Sequence, residues 1–178
     1  MRIFTIGHST HPLDEFLRLL GAFEVGQVAD VRRFPASRRM PWFNRDVLAR
    51  ELRARGLLYV HLSALGGRRR ASPDSPNGGW RVGAFRGYAD HMAGAEFKAG
   101  LLALEARASE RPTAVMCAEA LWWRCHRRLV SDALTTHEWE VVHIGFGGEA
   151  TTHELTAFAV ADAGGLTYPP PQASLRLD

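Results

Sequence analysis

RIFTIGHSTHPLDEFLRLLGAFEVGQVADVR, residues 2–32, decides the fold. Arg2–Ile6 is a β-rich run that breaks at Gly7-His8-Ser9. Ser9 or Thr10 can cap a helix over residues 12–22, whose Leu13, Phe16, Leu17 and Leu20 share one face. Gly21 or Gly26 ends that region, and Val25–Val31 reads as a second strand closing on Asp30 and Arg32. Strand, helix and strand in alternation predict a parallel sheet covered on both faces.

The same alternation continues outward. Pro35 and Pro41 forbid a regular element in the next loop. Asn44 opens a helix to about Arg55, with Val47, Leu48 and Leu52 inward and Gly56 as its stop. Leu57–Leu62 is a third strand. Residues 65–83 form a long loop with little apolar content to anchor it, expected to flank a cleft as a mobile segment. Helices follow at about 85–93 and 95–108, then a strand at Thr113–Cys117, a helix over Leu121–Leu134 and a strand at Glu138–Ile144. Residues 151–160 allow one more helix, and 161–178, with Pro169-Pro170-Pro171, read as a C-terminal tail that frays. The expectation is a single α/β domain over residues 1–160, with a mostly parallel, about five-stranded sheet.

Composition narrows the class. At 178 residues and 46% hydrophobic the chain can bury its own core. It contains no apolar run near the ~20 residues of a membrane span, and its start turns polar too soon for a signal peptide. Two cysteines, Cys117 and Cys125, exclude a disulfide framework, so cytoplasm is the expected compartment. Charge is segregated: residues 32–86 hold 13 arginines against Asp46, Glu51 and Asp74, whereas the flanks are acidic. The basic middle stretch is where an anion would bind.

In a parallel sheet, ligands bind beyond the carboxyl ends of the strands. The residues just past those ends are His8 and Ser9, then Asp30, Arg32 and Arg33, then His61, then Cys117 and Glu119, and finally His143. Ionisable groups therefore recur at every strand end, and the Arg-rich loops 32–45 and 65–86 leave from the same edge. Their arginines alternate with aromatics: Arg32, Arg38, Trp42 and Phe43 in one, Arg68, Trp80, Phe85, Arg86 and Tyr88 in the other. Guanidinium forks bind phosphate, and aromatic rings stack on bases. Asp30, at the end of a buried strand, either pairs with Arg32 or Arg38 or serves as a general base.

Cys117-Ala118-Glu119 and Cys125-His126-Arg127 admit three readings. Cys117, Cys125, His126 and Glu119 are metal-compatible donors, but Cys125 and His126, adjacent on one helix, would point about 100° apart. Cys117 before a helix start could be a thiolate, yet a phosphatase-type loop needs Cys, five residues and Arg, and Trp123 stands where that Arg belongs. The cysteines can also be small buried hydrophobes. We therefore expect no metal and no covalent nucleophile at Cys117.

Several of these motifs occur together: Thr5-Ile6-Gly7-His8-Ser9, Asp30-Val31-Arg32, Phe43-Asn44, Leu65-Gly66-Gly67, Phe85-Arg86-Gly87-Tyr88, Met116-Cys117-Ala118-Glu119 and Cys125-His126-Arg127. Joined by Pro35-x-Ser37-Arg38 and Tyr59-x-His61-Leu62, the set resembles the bacterial and archaeal family called domain of unknown function 488 from residue 3 to about 144. The resemblance implies an α/β fold and a shared set of motif residues, but no reaction. Trp122-Trp123 departs from a stretch that is more polar or proline-containing in many relatives.

The residues point to an enzyme of hydrolase or lyase type on a phosphate-containing substrate such as a nucleotide or nucleic acid. Asp30 and Glu119 would move protons, assisted by His8. Ser9, Arg32, Arg38, His61, Arg86, Tyr88, His126 and Arg127 would bind substrate. The sequence names no cofactor. The alternatives are a non-catalytic nucleic-acid-binding module using the same arginines, or a thiol or metal protein built on Cys117, Cys125 and His126.

Overall fold

Apolar side chains alternate along the strands, and that alternation builds two cores. In the computed structural model, which describes residues 1–162 and 164–171, Ile3, Ala29, Val115 and Val141 pack on one face of a sheet. Phe4, Val28, Ala114 and Val142 pack on the other. Five strands are parallel: β1 (Arg2–Gly7), β2 (Gln27–Asp30), β3 (Leu58–His61), β4 (Thr113–Cys117) and β5 (Glu140–Ile144). A sixth, β6 (Ala150–Thr152), is antiparallel to β5, giving the order β3-β2-β4-β1-β5-β6.

Helices α1 (Leu13–Ala22) and α2 (Arg45–Arg53) cover the Phe4 face through Phe16, Leu19, Leu20, Leu48 and Leu52. Helices α3 (Gly83–Met92), α4 (Ala95–Glu110) and α5 (Arg127–Thr136) cover the Ile3 face. The chain winds toward β3 through α1 and α2, then returns through α3, α4 and α5 on the opposite face. Right-handed crossovers impose that change of face when the winding reverses. The reversal falls between neighbouring β1 and β4, whose connections leave to opposite faces, and in such sheets ligands bind beyond the carboxyl ends at that point.

Three elements differ from the sequence expectation. First, α1 has no Ser or Thr cap; Pro12 precedes it, and Ser9 instead takes φ 42 in the turn at the end of β1, its N–H donating to the Ala118 carbonyl. Second, no single helix spans Leu121–Leu134. Trp122–Arg124 is a 3-10 turn, Cys125 is extended at φ −121, and α5 starts at Arg127. Third, residues 151–160 are not helical: Thr151 and Thr152 pair with His143 and Val142 at the sheet edge. Beyond it, β7 (Val160–Asp162) and β8 (Gly165–Thr167) form a hairpin.

The chain following that hairpin does not fray where it is described. Tyr168 is fully buried and donates its hydroxyl to Asp132 Oδ2 at 2.8 Å. Asp132 Oδ1 lies 2.9 Å from His153 Nε2, His153 Nδ1 lies 2.9 Å from His143 Nε2, and His143 Nδ1 meets the Thr5 hydroxyl at 2.7 Å. This buried polar chain ties the last segment to α5, β5 and β1. The loop 65–83 is also fastened: Asp90 accepts from the Ser72 N–H, the Ser75 hydroxyl and the Asn77 side-chain amide.

Candidate functional site

Strand register gathers the expected residues at one edge. Gly7 lies opposite Cys117, and Asp30 opposite both His61 and Met116. The His8 N–H donates to the Cys117 carbonyl at 2.9 Å, which splices the loops after β1 and β4 into one wall. Above it opens a cleft of about 640 Å³, within the usual size of small-ligand sites. His8, Ser9, Thr10, Ser37, Gly67, Tyr88, Cys117, Glu119, Cys125 and His126 border it, together with Arg39, Arg68 and Arg124.

Asp30 and Arg32 form the foundation of that wall. Asp30 is wholly buried and Arg32 nearly so, and they make a bidentate pair, Nε to Oδ1 at 2.9 Å and Nη2 to Oδ2 at 2.6 Å. The Tyr59 hydroxyl donates to Oδ2 at 2.7 Å, and the Arg32 N–H to Oδ1 at 3.0 Å. With four donors on its two oxygens, Asp30 is occupied as a structural anion. Burial and the Asp30 charge push the Tyr59 phenol pKa up, so it stays a donor.

His8 extends this network. Its Nδ1 is 3.0 Å from the Ser9 carbonyl, and its Nε2 is 3.1 Å from Arg32 Nη1. A carbonyl can only accept and a guanidinium only donate, so Nδ1 carries the proton and Nε2 accepts. Burial, then the Arg32 charge, lowers the His8 pKa to about 4. The ring is a neutral wedge, stacked on Phe43 with centroids 4.2 Å apart, that shapes the Ser9 turn.

Of the other expected residues, Ser9, Glu119, Tyr88 and His126 line the cleft. Tyr88 offers its ring, because its hydroxyl donates to the Leu65 carbonyl at 2.6 Å. Arg32 does not border this cleft but lines a smaller cavity of about 240 Å³ that shares His8, Ser37, Cys117 and His126 with it. His61 is tied through Nε2 to the Arg32 carbonyl at 2.8 Å, and neither it nor Arg38 or Arg86 borders the opening. Arg127 is fully buried beneath the wall, where Nη2 donates to the Glu119 and Ala120 carbonyls and curls that loop. His143 is buried away from the opening, stacked on Trp122 at 4.0 Å. Burial and neighbouring His153 lower its pKa to about 3.

The sequence places Arg39 and Arg68 in the basic loops without singling them out as substrate-binding residues and gives no sign of Arg124 as one; the three line the cleft from three separate segments. Among the described residues no carboxylate lies within ion-pair distance of any of them. Glu119 is exposed at the cleft, with no side-chain hydrogen bond to another described residue.

The cysteine segment corrects the expected divergence of Cys125 and His126. They precede α5 instead of lying on it, and their backbones differ: Cys125 is extended, while His126 is right-handed helical at φ −58. That break turns both side chains toward Cys117. His126 Nδ1 lies 3.6 Å from Cys125 Sγ and 3.9 Å from Cys117 Sγ. Hydrogen bonding to Cys125, then burial, raises the Cys117 thiol. Burial also opposes a Cys125 thiolate, but the Cys117 hydrogen bond, His126 and Arg127 outweigh it and hold that thiol low.

Fold and cleft define the class: a doubly wound α/β protein whose cationic pocket sits at the switch point of its sheet. A family model described as Domain of unknown function DUF488 matches residues 12–134, and the chain belongs to that family. No curated protein and no solved structure gives a match. Among the described residues, no helix is long and apolar enough to cross a membrane.

Proposed function

We propose that the protein is an enzyme of hydrolase or lyase type acting on a phosphate-containing substrate, such as a nucleotide or nucleic acid, in the carboxyl-edge cleft. The observation that carries this reading is the convergence of Arg39, Arg68 and Arg124 on one cleft without carboxylate partners among the described residues. Uncompensated guanidinium groups around a concave site favour a multiply charged oxyanion, which their forks can grip in bidentate fashion. Ser9, Thr10 and Ser37 add hydroxyl groups on the same rim, and the Tyr88 and Phe85 rings give a base an apolar surface.

Among the described residues Glu119 is the one carboxylate that borders the cleft, and in this reading it takes or gives the proton. Asp30, Arg32, His8 and Arg127 position the wall around it. The test is calorimetric titration of wild type and an Arg39→Ala/Arg68→Ala/Arg124→Ala variant with nucleoside monophosphates, diphosphates and short oligonucleotides. Wild type binds, and the variant binds more than about tenfold more weakly, at a cost above ~1.4 kcal/mol. Equal binding by the two would overturn the reading. Steeply salt-dependent binding of oligonucleotides without turnover would replace it with the nucleic-acid-binding module.

A further inference from the structure

We propose that Cys117, Cys125 and His126 form a binding site for one zinc-class divalent ion, with an open coordination position facing the cleft. The inference deepens the reading above and rests on it for the ion's use, whereas binding of the ion stands on the geometry of the three residues.

Each residue supplies one donor atom, and the three atoms all lie within 4.8 Å of one another. An ion about 2.3 Å from sulfur and about 2.0 Å from nitrogen, at tetrahedral angles, requires S···N separations of about 3.6 Å. The two observed separations are 3.6 Å to Cys125 and 3.9 Å to Cys117, so the imidazole nitrogen stands at tetrahedral spacing from one sulfur and a few tenths of an ångström wide of it from the other. Two sulfurs and one imidazole form a soft donor set that suits zinc and disfavours magnesium or calcium.

Among the described residues the imidazole has no other polar engagement. Its Nε2 is buried without a hydrogen-bond partner, and its Nδ1 is directed at the two sulfurs. Thiols 3.6–3.9 Å away are weak partners for a ring held so firmly. The holding is built in. Gly67 presses on the Nδ1 end of the ring so closely that a Cβ there would come within 2.8 Å of Nδ1. The Tyr88 ring packs 5.0 Å from it, centroid to centroid, and is fixed by its own bond to Leu65. The Arg127 backbone N–H donates to Cys125 Sγ at 3.5 Å, a contact of the kind that supports metal-bound thiolates.

A lone Cys–His nucleophile would need one sulfur; here two converge on one nitrogen from separate elements, Cys117 closing β4 and Cys125 preceding α5. All three residues border the cleft, so the fourth coordination position is available to water or substrate, as in three-ligand catalytic zinc sites.

The test is cobalt titration of the full chain after removal of bound metal with a chelator and reduction of both thiols. One equivalent should produce a thiolate-to-cobalt charge-transfer band and the d–d bands of tetrahedral cobalt, and zinc should displace it stoichiometrically. Cys125→Ser and His126→Gln should weaken cobalt binding by more than about a hundredfold, since even outer-shell changes cost 10–100-fold. Circular dichroism checks that each variant is folded, and Cys117→Ser serves as a third probe if one variant fails to fold. The Arg39→Ala/Arg68→Ala/Arg124→Ala variant should bind cobalt normally while losing phosphate ligands, so the two proposals fail separately. Absence of the charge-transfer band in reduced wild type would overturn the site, as would an unchanged band in Cys125→Ser and His126→Gln.

Discussion

Replacing Asp30 with Asn tests whether the wall of the cleft rests on a buried ion pair. Asp30 is wholly buried, and its two oxygens accept from Arg32 Nε, Arg32 Nη2, the Arg32 N–H and Tyr59. Asn keeps the volume but offers one acceptor oxygen in place of two and no charge. Arg32 is then left 6% exposed with a guanidinium whose remaining partners are neutral: His8 Nε2 and the Phe43 carbonyl. Breaking one side of a buried pair costs about 3–5 kcal/mol. For a chain of this size that lowers the melting temperature by roughly 6–20 °C. Denaturant unfolding at neutral pH gives the free energy directly. A double variant, Asp30→Asn with Arg32→Met, should recover part of the loss, because it also removes the orphaned charge. A single variant that loses less than about 1 kcal/mol would refute the assignment of Asp30 as a structural anion.

Acid should destabilise the fold through His143. Its folded pKa of about 3 lies below the ordinary 6.5, so the unfolded chain takes up the proton first. Stability is therefore full above about pH 6.5 and is lost toward pH 3 at up to ~1.4 kcal/mol per pH unit from this group. His143→Gln should flatten that slope in denaturant midpoints measured from pH 7.5 to 5, and an unchanged slope would count against it. Gly7→Ala should cost about 1–3 kcal/mol or more. Its Cβ would fall 1.9 Å from the Glu119 carbonyl oxygen, which must move to admit it. Wild-type thermal stability in this variant would show that the loop after β4 is not pressed against β1.

The central strands were legible because buried parallel strands carry unbroken apolar runs that stop at polar residues. Thr113–Cys117 is the plainest case. The start of α5 was not. Leu121-Trp122-Trp123 continues an apolar pattern into the helix, and no Gly or Pro marks the extended residue at Cys125. That single break is why Cys125 and His126 converge, so the same missed residue hid the geometry of the candidate metal site. Thr151-Thr152 did signal a strand through β-branching, but the short edge strand has no periodicity of its own. Tyr168 stands alone beside three prolines, and its burial is explained by partners distant in sequence: Asp132, thirty-six residues earlier, and the Trp80 and Phe158 rings. The family-like residues marked the right edge of the sheet without separating roles. Asp30 and Glu119 look alike as acids at strand ends, yet one is enclosed by donors and the other is exposed. Arg38 and Arg39 are neighbours, yet Arg39 borders the cleft and Arg38 does not.

The position of a bound phosphate group tests the central claim most directly. A crystal of the protein soaked with a nucleoside monophosphate that binds in solution would locate it. The phosphate should lie among Arg39, Arg68 and Arg124, above Cys117 and His126 and beside Glu119. A phosphate held elsewhere on the surface, with the carboxyl-edge cleft vacant, would contradict the account.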